Sequence, residues 1–117
     1  MPSERSKLVI EDMVKLCADV IIFCQNLSLP AAVLSQITGS VSSIGANFSE
    51  AQDASSKKDF VNKIYIAKKE SAETKYWLDV VEQLCDQRPK INDLSIRVQG
   101  FTMMLQKIIN TSKSINR

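Results

Sequence analysis

The amino-acid sequence predicts an all-α protein folded as an antiparallel, up-down-up-down four-helix bundle. Three observations carry that expectation. Apolar residues recur at helical spacing in four successive segments. The chain has three glycines and three prolines, fewer turn residues than a strand-rich protein of this length needs. The links between the four patterns are short, which makes consecutive helices antiparallel neighbours.

With 117 residues the chain has the size of one domain, 1–117, and can bury a core without disulfides or metals to hold it. Helices are expected over residues 6–26, 30–53, 56–87 and 93–112. In the first, Leu8, Met13, Leu16, Cys17, Val20, Phe23, Cys24 and Leu27 form an apolar stripe. Val9, Val14, Ile21 and Ile22 widen it, so this helix is expected to touch more than one neighbour. Asn26-Leu27-Ser28-Leu29 breaks it. The second helix opens on Pro30, whose missing N–H costs nothing at a first helical position. Its stripe is Leu34, Ile37, Val41, Ile44, Phe48 and Ala51. Gly39 and Gly45 interrupt it at about 1 kcal/mol each, and close approach to another helix is the simplest reason for both.

The third helix starts after Ser56, with Asp59 three residues on as a short capping box. Phe60, Ile64, Ala67, Ser71, Thr74, Leu78, Val81 and Cys85 follow at alternating steps of four and three, a sustained heptad. Arg88-Pro89 is expected to end the helix near Gln87. Asn92 would cap the fourth helix, with Leu94, Val98, Phe101, Leu105 and Ile108 as its stripe. Lys107 and Lys113 suit the negative end of that helix dipole, and the tail from Ser112 to Arg117 is expected to fray.

Some residues break the apolar pattern. Ala67, Ser71 and Thr74 are small or polar where a bundle favours leucine, and Asn47 and Glu50 lie near the stripe of the second helix. Asn47 or Glu50 is therefore expected to point into the space beside Ala67 and Ser71 and to hydrogen-bond there, fixing helix register. A catalytic carboxylate at Glu50 is the competing reading, and it lacks a histidine to work with because the chain contains none. Trp77 lies beside the third stripe, as a flank of the core or as an oligomer contact.

The third helix also carries the charge signal. Lys57, Lys58, Lys68, Lys69 and Lys75 read as lying away from the heptad stripe, with Tyr65 and Tyr76 among them. Lysines neutralise phosphates and tyrosines stack on unpaired bases, so these seven residues are the candidate nucleic-acid-binding set. An ordinary solvated face is the bland alternative. Asp79, Glu82 and Asp86 follow on the same side, and that separation of charge also suits head-to-tail contacts between copies.

Much chemistry is excluded. The formal net charge of +2 does not by itself imply nucleic acid. Three cysteines at no ligand-like spacing argue against a disulfide framework or zinc site, and for a reducing, cytoplasmic compartment. Cys17 and Cys24 read as small core residues. There is no Gly-rich phosphate loop, metal-ligand cluster or nucleophile–base pair, so no cofactor and no enzymatic activity are expected. The charged N-terminal stretch does not read as a signal peptide, and no apolar run is long enough for a membrane.

Three stretches resemble a known family. They are Ser43-Ile44-Gly45-Ala46-Asn47-Phe48-Ser49-Glu50-Ala51, Ser55-Ser56-Lys57-Lys58-Asp59-Phe60, and Tyr65-Ile66-Ala67-Lys68-Lys69-Glu70-Ser71-Ala72-Glu73-Thr74. In order and spacing they are similar to the four-helix bundle, or 23S rRNA intervening-sequence, protein family. That family reads Ser-Ile-x-x-Asn-Ile-Ala-Glu-Gly, Ser-x-x-Glu-Phe and Ile-Ala-x-Gly-Ser-x-x-Glu. Here Phe48-Ser49 replaces Ile-Ala, Ala51 replaces the glycine, and Ala54-Ser55 replaces a commonly basic pair.

The resemblance implies a bundle that assembles as a homo-oligomer, a ring-like pentamer, with Asn47, Glu50, Phe60, Ala67 and Ser71 as fold determinants. It also implies two contexts. Some members are encoded within 23S rRNA genes, and a related branch is the accessory protein of diversity-generating retroelements, which binds a reverse transcriptase and nucleic acid. Together, residues and resemblance point to an oligomeric scaffold for RNA or a nucleic-acid-processing partner. A protein-interaction module with no nucleic-acid role is the alternative.

Overall fold

Serine caps set where two of the four helices begin. The computed structural model describes residues 3–115, with side chains through Lys113. Helix α1 spans Glu4–Gln25, and its start is set by Ser3, whose Oγ accepts from the Ser6 N–H at 3.1 Å. Helix α2 spans Ala31–Ala51 behind Pro30, which sits one position earlier than expected, as the capping residue. Helix α3 spans Lys57–Leu84. Ser56 Oγ accepts from the Asp59 N–H at 3.0 Å, while the Asp59 carboxylate accepts from the Ser55 N–H at 3.3 Å. The anticipated capping box is thus formed with its return bond shifted one residue, from Ser56 to Ser55.

Helix α4 spans Arg88–Ile115 and departs most from expectation. It begins at Arg88 rather than after Asn92, and α3 ends at Leu84 because Cys85 turns extended. Proline lacks an N–H, but the first turn of a helix has no intrahelical partner for its N–H groups in any case. Pro89 therefore opens α4, and the Ile91 N–H closes the first turn onto the Gln87 carbonyl at 3.1 Å. The extra turn brings Ile91 into the core. At the far end α4 is helical through Ile115, beyond the expected end at residue 112; Asn116 and Arg117 lie outside the described residues.

The four helices form an up-down-up-down bundle in which α2 packs on α1 and α3, and α3 on α4; α1 touches α4 only lightly. The heptad of α3 is buried from Ile64 to Val81, with Phe60 and Cys85 half-buried at its ends. In α2 the stripe from Ile37 to Ala51 is buried, with Leu34 half-buried. In α4 Ile109 is fully buried and Ile108 is not, because an α-helix drifts from a strict seven-residue repeat over its length. Helix α1 touches both α2 and α4, as expected, and Val9 and Ile21 pack against the core, but Leu8, Val14 and Ile22 are more than half exposed.

The polar centre of α3 is satisfied by partners other than those expected. Ser71 and Thr102 of α4 share a hydroxyl hydrogen bond of 2.7 Å, and Thr74 donates to Ser40 of α2 at 2.9 Å. Ser40, Ser71 and Thr74 are all buried. Asn47 instead donates to its own helix at the Ser43 carbonyl, 2.8 Å away, and Glu50 accepts from Lys63 at 3.0 Å on the surface. The reason is desolvation. Paired hydroxyls close the gap without charge, whereas a carboxylate drawn inward loses several kcal/mol of hydration.

Candidate nucleic-acid interface

Because the core stripe of α3 is continuous, its opposite side is equally regular. Lys58, Asn62, Tyr65, Lys69, Ala72 and Tyr76 follow one another at steps of four and three, and all are exposed. Cation and aromatic ring therefore alternate along one solvent-facing line. Tyr65 is 39% exposed and Tyr76 59%. A shallow cleft of about 440 Å³, lined by Lys58, Asp59, Asn62 and Tyr65 among others, lies at its N-terminal end.

The seven candidate residues do not form one set. Lys58, Tyr65, Lys69 and Tyr76 share the outer line. Lys68 is half-buried on the flank toward α4. Lys75 lies on the same flank, with its ammonium 2.6 Å from Asp79. Lys57 lies seven residues before the fully buried Ile64 and shares its side of the helix. It is exposed because it is the first residue of α3, so it does not belong to the outward face.

One cation was missed. The Lys113 ammonium sits over the Tyr65 ring, 5.2 Å from its centre. In sequence Lys113 read as a dipole residue near a fraying end. The pairing follows from topology: α4 runs antiparallel to α3, so its last turn returns beside the first turns of α3.

The other polar features have local partners or simple causes. Tyr76 meets Trp77 edge-on, with ring centres 5.1 Å apart. Trp77 is half-buried against the core, and its indole N–H is buried without a hydrogen-bond partner among the described residues. Burial, and secondarily the neighbouring Cys85 thiol, push the Cys24 pKa up to about 11, so it stays a neutral thiol. Cys17 is only half-buried, with its Sγ 3.6 Å from Ser42 Oγ. Among the described residues no cluster of three His, Cys, Asp or Glu side chains is placed to hold a metal, and no helix is long and apolar enough to cross a membrane.

Comparison with known proteins agrees with this architecture. A crystal structure of a protein with unknown function from the S23 ribosomal protein family of Bacteroides thetaiotaomicron superposes with a TM-score of 0.81 at 29% sequence identity. The match covers 90% of this chain and 97% of that one. No curated protein sequence gives a significant match. The family model described as 23S rRNA-intervening sequence protein matches residues 6–115, essentially the whole bundle, and the chain belongs to that family.

Proposed function

We propose that the protein is a non-enzymatic, oligomeric scaffold that binds RNA along the outer line of α3 in the cytoplasm. The observation that carries this reading is the alternation of Lys58, Tyr65, Lys69 and Tyr76 on one exposed face, with Lys68 beside it. Ammonium groups release counterions from phosphates, and tyrosine rings accept unpaired bases whatever their sequence. Membership of a family described by an rRNA insertion favours RNA as the nucleic acid, either directly or through a partner enzyme such as a reverse transcriptase. A homopentamer would raise the subunit charge of +2 to about +10, and repeated weak sites would gain by avidity.

The second reading is a protein-interaction module, favoured by the acidic end of the same helix at Asp79 and Glu82, with Asp86 just beyond it. Replacing Lys68 and Lys69 by glutamate distinguishes the two. Loss of binding to a structured RNA with sedimentation unchanged is the expected result. Dissociation of the assembly by the same pair would assign these lysines to subunit contacts instead.

A further inference from the structure

Of the four seams of the bundle the one between α1 and α4 is the most open, and the α1–α2 seam carries a single smaller depression of about 340 Å³. Along the light contact of α1 with α4 run two depressions of about 370 and 520 Å³, which share Met104 as a common wall. Val9, Met104 and Ile108 line them with half-buried apolar surface, together with the rings of Phe60 and Phe101. Arg5, Lys15 and Lys107 stand exposed on the rim. Among the described residues none of these three has a carboxylate within ion-pair reach, whereas Arg97 is held by Asp19 at 2.8 Å. Asp12 is the one acidic side chain in the lining. Gly100 of α4 opens the seam further: a Cβ built there meets nothing within 4 Å.

We infer that the α1–α4 seam is a docking groove for an acidic amphipathic helix of another protein. The apolar lining between α1 and α4 takes a helix face with residues at i, i+3, i+4 and i+7. From Arg5 to Lys15 the rim extends about 15 Å, close to three helical turns. Unpaired cations stand on both walls, Arg5 and Lys15 on α1 and Lys107 on α4, so the occupant carries Asp or Glu on both flanks of its apolar stripe. RNA fits this groove less well than it fits α3. The Phe60 and Phe101 rings in it are half-buried among aliphatic side chains, whereas Tyr65 and Tyr76 stand exposed on α3 where a base can stack. Nor does a second copy readily supply the helix. The acidic end of α3 stops at Leu84, and Asp79 within it is already bound to Lys75.

The test uses the full chain and a labelled synthetic helix of about 18 residues (five turns), with leucines on one face and glutamates on both flanks. Saturable binding is expected, with methyl NMR shifts at Val9, Met104 and Ile108. Lys58→Glu/Lys69→Glu, on the other face, should bind the helix as the parent does. Gly100→Leu should fill the groove and weaken binding roughly tenfold or more, and Lys15→Glu/Lys107→Glu should do the same. Gly100→Leu enters open space, so its melting temperature should not fall; if it does, the charge pair alone decides. The inference is overturned by absent binding, by shifts on the α3 lysines, or by charge-reversed groove variants that bind as tightly as the parent. An RNA oligonucleotide shifting the same methyls, or Gly100→Leu changing sedimentation of the unbound protein, would give the groove to RNA or to a second copy.

Discussion

Helices α1 and α3 put similar materials to opposite use. By sequence α1 is the more apolar of the two, yet it leaves Leu8, Val14 and Ile22 in solvent and contacts α4 lightly. Helix α3 carries lysines, glutamates and hydroxyls throughout, yet its inner stripe is wholly buried from Ile64 to Val81. Periodicity, not apolar content, decides which helix is held on both sides. An unbroken heptad in α3 gives each neighbour a continuous seam, and it also leaves the opposite face free to form an ordered line of lysine and tyrosine. In α1 the buried stripe is shorter, running through Met13, Leu16, Val20 and Cys24, and the apolar residues Leu8, Val14 and Ile22 beside it stay in solvent.

That contrast predicts unequal mutational costs. Leu78→Ala in α3 removes a fully buried side chain and should cost about 2–5 kcal/mol in urea or thermal unfolding. Val14→Ala and Ile22→Ala in α1 should each change stability by no more than about 0.5 kcal/mol. Equal losses at the two sites would remove the distinction.

The buried hydroxyls sharpen it. Thr74→Val deprives Ser40 of its interhelical partner and should cost about 1–3 kcal/mol. Adding Ser40→Ala should restore part of the loss in a double-mutant cycle, since both polar groups are then gone. Strict additivity would mean that the pair contributes nothing.

The glycines of α2 separate next. A Cβ at Gly45 would stand 3.2 Å from Met13 Cβ, so Gly45 serves the close approach of α1 anticipated from sequence. Gly39 has open space around it, and close packing within the chain does not explain it. Gly39→Ala should stabilise the protein by about 1 kcal/mol, and Gly45→Ala should gain less or lose stability.

The smallest effect concerns pH. The folded Cys24 pKa, raised from 9.0 to about 11, lies above its unfolded value. Its contribution to stability is therefore fully present below about pH 9 and is lost as pH rises toward 11. Cys24→Ala should flatten the alkaline part of the stability profile. An unchanged slope in that variant would place the titration elsewhere.

Most of the fold was legible because it rests on local periodicity. The α3 heptad, the Ser56 cap and the α2 stripe each follow from residues near one another in sequence. What was illegible depends on residues far apart. Pro89 read as a terminator, since nothing local distinguishes a proline that ends one helix from one that opens the next. Ser40 and Thr102 stand outside the apolar stripes of α2 and α4, and only the packing of those helices against α3 makes them partners of Thr74 and Ser71. Asn47 and Glu50 were drawn inward by their position near a stripe, although their partners lay outside it. The lysines of the candidate interface were visible as a cluster, but their division into an outer line, a flank and a helix start needed the bundle, as did the pairing of Lys113 with Tyr65.

The most direct test of the RNA-binding line is a salt titration. Binding of a structured RNA should be measured from low to moderate salt for the parent protein and for Lys58→Glu/Lys69→Glu. The account predicts tight binding at low salt that falls steeply, and a log–log slope shallower by about 2 in the variant, one for each lysine. Absent binding at low salt, or an identical slope and affinity in the variant, would contradict it.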